Sequence, residues 1–486
     1  MHDLGFLQYI CRYENKILLN IYLHYSFCVL LSIKAQVIAT GGRHSIVLCS
    51  DSTVKSWGYN GYGQLGNGNI MEQHSGVSVV NLSQVKQVAG GLFHSIFVKS
   101  DGTVWASGRN NNGPLGDGTN IDKSFAVRVI GLNEVIQAAG GGEHSLFLKN
   151  DGTVWACGLN GSGQLGDGTN ISKNIPVQIV GLSDVIQVAA GAEFSLFLKS
   201  DGTVWACGHN GFGQFGNGST AAKNKPVQIL GLSEIVQLSA GEWHSLFVKK
   251  DGSVFSAGRN NYGQLGDGST IDKNVAIQII GLSDIIQADA GGIHSVFVKR
   301  DGSVWSSGLN SGGNNDGQLG DGTKVDRSVP VQVINSWGSG KIIYATATRE
   351  HTLLLHEDGT IWACGRNNYG QLGYGSFTTV NSFIPVQSKN ICPVVSATTN
   401  KMKSDKGLMS IHKLSLNSEA ILNTSFEMND ATLIFYNYLG QPIKLIRNLF
   451  GQEAGINIDG IDNGIYLLTI LQNQKSICTS KWIFMN

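Results

Sequence analysis

Asp51, Asp101, Asp151, Asp201, Asp251 and Asp301 recur at an unbroken spacing of 50 residues, and Asp358 follows as a seventh equivalent after two small insertions. Self-similarity at such a period marks one supersecondary unit copied many times, each copy burying its apolar faces against its neighbours. A chain of this kind folds as a ring of like units. Its function has to be read from what departs from the repeat.

The copy from Gly191 to Gly241 shows the parts. Ser195 to Lys199 and Thr203 to Cys207 are rich in aromatic and β-branched residues, and Asp201-Gly202 between them supplies the positive φ of a tight hairpin turn. Pro226 to Ile229 and Ile235 to Leu238 read as two further short strands around the turn Gly231-Leu232-Ser233. Nothing in the unit has the period of a long helix. Four short strands per unit predict an all-β fold, a β-propeller, in which ~4 to 8 blades close around a channel without long exposed sheet edges.

The text GxxHS…DGTVWxxGxNxxGQLGDGT, seen from Gly141 to Thr169, resembles the RCC1 (regulator of chromosome condensation) repeat; WD40 units are shorter, and kelch units place Gly-Gly and Trp differently. The resemblance runs from Gln36 to Gln387 and implies a seven-bladed propeller over residues 37–387. The strands are expected to close the ring between the first and last copies. If Pro385-Val386-Gln387 belongs to the next copy's blade, it completes the first blade and staples the ring.

The ends of the chain differ from the repeats. Residues 1–36 carry Arg12 and Lys16, then the largely apolar run Ile17 to Ile33, and read as a signal peptide rather than a permanent membrane span, which needs ~20 apolar residues. Residues 388–414 are Ser/Thr/Lys-rich without periodicity and read as a linker. Over 415–486, the strand Ala431 to Asn437, the turn Leu439-Gly440-Gln441, the segment Gly464-Ile465-Tyr466 and the closing Lys481-Trp482-Ile483 resemble the C-terminal sorting domain of type IX secretion substrates, which implies a small β-sandwich. The two ends together imply a protein secreted by, or held on the outer membrane of, a Gram-negative bacterium, with the type IX machinery as a partner of 415–486.

Eight cysteines invite a disulfide reading, but no pair has the close spacing of a metal or redox motif. Cys157, Cys207 and Cys364 fill the slot held elsewhere by Ser107, Ala257 and Ser307 and are expected to be small buried residues; Cys49, Cys392 and Cys478 read as scattered. Lysine plus arginine equals aspartate plus glutamate at 35 each, and no basic stripe is visible. That argues against nucleic-acid binding, which needs clustered cations to displace phosphate counterions.

Three sets of conspicuous residues have structural readings. His44, His94, His144, His244, His294 and His351 share one repeat position, too far apart to hold a common metal, and Phe194 takes the place in one copy. They are expected to pack with a hydrogen bond inside the blade. Trp105, Trp155, Trp205, Trp305 and Trp362, with Phe255, read as blade-packing residues. The Gly-Asp-Gly-Thr turns lack the alternating ligands of a calcium loop. No metal and no cofactor is expected.

Positions where the framework is fixed but the side chain changes are the readout candidates. Before the framework histidine stand Arg43, Phe93, Glu143, Glu193, Trp243, Ile293 and Glu350; after the repeat glycine stand Tyr59, Arg109, Leu159, His209, Arg259, Leu309 and Arg366. A site tolerating such variety is expected to be at least partly exposed, and a ring of such turns lines one face of a propeller. Asp289 breaks a slot otherwise held by Ala39, Ala89, Ala139, Ala189, Ser239 and Thr346, and the sixth copy expands its turn over Asn310 to Gly317. A lone carboxylate near the channel is costly unless paired, so Asp289 either is hydrogen-bonded structurally or marks a ligand site.

These features predict an exported, non-catalytic scaffold that presents a variable face to an extracellular protein or glycan. The alternatives are a secreted propeller hydrolase or lyase with a channel-facing site near Asp289, for which no nucleophile or acid/base pair stands out, and a guanine-nucleotide exchange factor, the role of the family's best-known eukaryotic member, which the export signals oppose.

Overall fold

The computed structural model describes residues 38–392, apart from 50, 312–316, 376–379 and 390, and then a set of strands between 402 and 484. The signal-peptide reading, most of the expanded turn and the Leu439-Gly440-Gln441 turn lie outside the described residues. The chain divides into two compact units, Gln36–Pro393 and one that holds Val394–Asn486.

The first unit contains seven antiparallel four-stranded sheets, and each takes its strands consecutively from one copy of the repeat. In the third sheet these are Val135–Gly140, His144–Lys149, Val154–Gly158 and Lys173–Gln178. Its hairpin is tied by Asp151, whose Oδ1 accepts the backbone N–H of Thr153 at 2.9 Å and its hydroxyl at 2.6 Å, while Gly152 takes φ +78°. That local bonding is why every copy carries Asp-Gly or its equivalent here.

The core lies between sheets rather than within them. Ile96, Val98, Val104 and Ala106 of the second sheet pack on Val135, Ala138, Phe147 and Cys157 of the third, with half-buried Trp155 against the cluster. Trp105, Trp205, Phe255, Trp305 and Trp362 occupy the same place in their sheets, as expected of packing residues. Cys157, Cys207 and Cys364 are free and buried, and burial pushes their thiols well above the usual range.

The first strands of successive sheets touch all the way round, and Ile38–Thr40 also meets Ile342–Ala347 of the seventh sheet. The strand Ser382–Gln387 pairs with Ile361–Gly365 of its own sheet, so it does not complete the first one. Strand exchange is unnecessary because the first sheet already owns its outer strand, Gln73–Ser78. The first and seventh sheets are joined instead by Thr40 Oγ1 to Thr346 Oγ1 at 2.8 Å, Trp57 Nε1 donating to the Gln371 carbonyl at 2.8 Å, and a disulfide between Cys49 and Cys392. Two of the three cysteines that read as scattered, Cys49 and Cys392, are therefore partners although 343 residues separate them in sequence.

The histidines bond between sheets, not inside them. His44 Nε2 reaches Ser95 Oγ at 2.9 Å, His94 reaches Ser145 at 3.0 Å, and so on to His351, which returns to Ser45 at 2.9 Å. Each serine hydroxyl spends its proton on a turn carbonyl, as Ser95 does on Gln64 at 2.7 Å, so the histidine is the donor and its Nε2 carries the hydrogen. A second inter-sheet clamp was not foreseen: Gln87 donates to the Ala138 carbonyl and accepts the Ala138 N–H, both at 2.9 Å, and Gln137, Gln187, Gln237 and Gln287 repeat it.

The stretch read as a linker from residue 388 is partly structured. Ser388 donates to the Leu372 carbonyl and Ile391 joins the core of the first and seventh sheets. Further on, Met402–Ser404 and Gly407–Lys413 are strands of the second unit, a six-stranded antiparallel sheet. Its longest strand, Glu419–Tyr436, pairs with Gly407–Lys413 at one end and with Gly464–Gln472 at the other, register shifts between Asn423 and Leu433 separating the two stretches. Among the described residues no helix is long and apolar enough to cross a membrane.

Candidate binding face

The two variable positions, separate in sequence, are hydrogen-bonded neighbours in every sheet. The backbone N–H of Tyr59 donates to the Arg43 carbonyl at 2.9 Å, Leu159 to Glu143 at 2.8 Å, Arg259 to Trp243 at 2.9 Å, and the remaining four pairs match within 2.8–3.0 Å. The glycine between them makes this approach possible. Gly158 has φ +110°, and a Cβ there would stand 2.4 Å from the Glu143 carbonyl oxygen.

The turn that carries the second position is rigid from beneath. Asn160, fully buried, accepts the Leu165 N–H at 2.9 Å and donates to Asp167, Thr169 and the Ile171 carbonyl, and Asp167 in turn receives the Thr169 N–H at 2.8 Å. The acidic oxygens of this turn thus hold N–H and O–H donors. Variable side chains here ride on a framework that does not depend on them.

Sequence reasoning missed a third variable position, held by Tyr62, Asn112, Ser162, Phe212, Tyr262 and Tyr369. Its copy-to-copy variation was visible, but nothing in one strand pattern shows that it meets the next sheet. Asn112 bonds Glu143, Ser162 donates to Glu193 at 2.7 Å, and Tyr369 accepts from Arg43 at 3.4 Å.

Together the three positions form clusters at the seams. Tyr59, Tyr62 and Phe93 pack on one another and Tyr369 packs on Tyr59, all edge-on or tilted with centroids 5.0–6.3 Å apart. Arg109 lies over Tyr62 and Phe93 and pairs with Glu143 at 2.8 Å. On the fourth and fifth sheets His209, Phe212 and Trp243 pack at 5.2–5.8 Å, with Arg259 over Phe212. Ile293 is half-buried.

Exposure is not uniform, contrary to the expectation. Glu350 is 2% and Arg366 8% exposed. Glu350 accepts from both Arg366 at 2.8 Å and Arg43 at 3.3 Å, so a buried charge is met by two guanidinium groups, and the turn face closes over them at the seventh-to-first seam.

Asp289 faces the central cavity from the first strand of the sixth sheet. Its Oδ1 accepts the Ser239 hydroxyl at 2.7 Å and its Oδ2 the Ala347 N–H at 2.8 Å, linking the fifth, sixth and seventh sheets; burial raises its carboxyl above the usual range despite these donors. The Ser–His pairs are not nucleophile dyads: both groups are buried and each hydroxyl proton is committed to a carbonyl.

Residues 119–408, more than half of the chain, match the RCC1-like domain, and residues 36–64, 85–113 and 51–98 match the regulator of chromosome condensation (RCC1) repeat. The chain belongs to the RCC1-like domain family. Among curated relatives of this RCC1-like chain, Protein RCC2 homolog of Danio rerio is 42% identical over 67 residues, 14% of this chain and 13% of that protein. The X-linked retinitis pigmentosa GTPase regulator of Homo sapiens is 42% identical over 72 residues, 15% of this chain and 7% of that protein. The match thus spans well under a fifth of the curated relatives' lengths. Among solved structures, human WBSCR16 shares 25% identity at TM-score 0.58, covering 66% of this chain and 86% of its own. Prp20p from Saccharomyces cerevisiae, described with its binding to Gsp1p and histones, shares 22% identity at TM-score 0.58 over 69% of this chain and 85% of its own, a likeness of fold alone. An RCC1-like repeat propeller is a binding-scaffold type.

Proposed function

We propose that this chain is an exported, non-catalytic scaffold, a closed seven-bladed propeller that binds a protein or glycan through the turn-bearing face. The observation that carries it is the pairing of Arg43/Tyr59, Phe93/Arg109 and Trp243/Arg259 on identical backbone brackets. A framework that holds its geometry whatever side chain it carries frees those side chains for recognition, and Tyr, Trp and Arg are the types that dominate interface energetics. Asp289 has no acid/base partner beside it among the described residues, which favours the scaffold over a channel enzyme.

The export part rests on the apolar leader, on the resemblance of 415–486 to a sorting domain, and on the Cys49–Cys392 disulfide, a feature of oxidising compartments. The binding part is tested by capture from culture fluid with the full-length chain and with a variant carrying Ala at Phe93, Arg109 and Trp243. Equal capture by both would remove the face assignment. Export is tested by fractionating cells that express the chain with and without 415–486; normal surface or medium appearance without that segment would remove the sorting assignment.

A further inference from the structure

The first strands of all seven sheets, with the turns that follow them, line one cavity of about 220 Å³. Its wall is built from small neutral residues such as Ala89, Gly140, Ala190 and Thr346. Three charged side chains line it: Glu242 and Arg349, paired at 3.2 Å, and Asp289. Asp289 alone of the three makes no ion pair among the described residues.

The fold does not require a carboxylate here. The equivalent slots hold Ala39, Ala89, Ala139 and Ala189, and those sheets form the same strands with the same pairing. Desolvating a carboxylate without a cation is costly, and neutral donors offset that cost only in part. The Ser239 hydroxyl and the Ala347 N–H, with further help from the Thr346 hydroxyl and the Ala290 N–H, hold the group in place, but all of these donors are neutral and none is a cation.

We infer that the central cavity receives one organic cation, an ammonium or guanidinium group, whose charge is met by Asp289. A divalent metal needs several oxygen ligands and would find one carboxylate that is not already paired with a cation, since Glu242 is held by Arg349. The cavity is also smaller than the ~300–1,000 Å³ of sites that enclose a whole drug-sized ligand, which suits a single side chain. This deepens the scaffold reading, on which it rests: the partner on the turn-bearing face projects a lysine or arginine into the channel.

The test uses the full-length chain at pH 7 with Nα-acetyl-lysine methylamide and Nα-acetyl-arginine methylamide as probes, and the norleucine analogue as the uncharged control, read by ligand-observed NMR. At least one cationic probe binds, the control does not, and Asp289→Asn and Asp289→Ala each weaken binding tenfold or more. The alanine variant reproduces the residue of four other sheets, so it retains the fold, and its melt is checked beside the binding. Binding of neither cation, binding of the control as well as the cations, or unchanged binding in a folded Asp289→Ala overturns the inference. A partner captured equally by wild type and Asp289→Ala, yet lost on substitution of the turn face, leaves the scaffold reading standing and removes only the cation site.

Discussion

Cys49, just after the strand His44–Leu48 of the first sheet, is disulfide-bonded to Cys392, in the tail that follows the seventh sheet, with Cα atoms 5.5 Å apart. Since each sheet owns its four strands, this bond is a covalent tie between the first sheet and the tail of the seventh, beside the Ser45 to His351 hydrogen bond.

Reduction, or Cys49→Ser, is expected to destabilise the propeller by roughly 2–4 kcal/mol, because the bond restrains a very long loop in the unfolded chain. Thermal melts of the purified chain with and without reductant check this. An unchanged melting temperature would show that the non-covalent contacts hold the first and seventh sheets together unaided.

Acid is expected to weaken the propeller already between pH 7 and pH 5, through its buried histidines. Burial lowers His44, His144, His244, His294 and His351 to about 3 and His94 to about 4, against 6.5 when unfolded. Above pH 6.5 both states are neutral and nothing is lost; below it the unfolded chain takes up protons that the folded chain refuses. Each histidine then removes ~1.4 kcal/mol per pH unit until its folded value is reached. Urea midpoints should fall between pH 7 and pH 5, less steeply in His144→Phe, since Phe194 occupies that slot natively. Equal midpoints at the two pH values would sink the claim.

Trp243→Ala is expected to weaken capture of a partner by ~2 kcal/mol or more while altering the melt little, because Trp243 is half-buried among His209 and Phe212 and sits on a bracket that accepts Arg, Phe, Glu and Ile elsewhere. A large drop in melting temperature would make it a core residue instead.

Gly158→Ala should cost about 2 kcal/mol or more, since it forces a side chain to φ +110° and against the Glu143 carbonyl. Gly161→Ala, which meets open space in the same turn, should be near neutral. Chemical denaturation of the two variants separates a bracket requirement from a general taste for glycine, and equal effects would count against the bracket.

Much of the fold was legible in the sequence. The 50-residue period, the Asp-Gly hairpins and the Trp strand position announced repeated four-stranded sheets, because hairpin turns and strand alternation are local properties. Cys157, Cys207 and Cys364, substituting for Ser and Ala, were recognisable as core for the same reason. At the candidate site, the first two variable positions were legible as breaks in a fixed text; their adjacency was not, because Tyr59 and Arg43 are brought together by a backbone bond across a glycine with positive φ. Nor was the burial of Glu350 and Arg366, which depends on Arg43 arriving from the other end of the chain.

The sequence by itself determined the repeat, its strands and the residues free to vary, since these follow from side-chain type and spacing within one copy. Only the tertiary structure decided what joins copy to copy. The histidine donates to the next sheet's serine, the glutamine clamps the next sheet's backbone, and Cys49 finds Cys392, because stacked sheets place sequence-distant edges in contact and no periodicity within a single unit encodes which neighbour a side chain will meet.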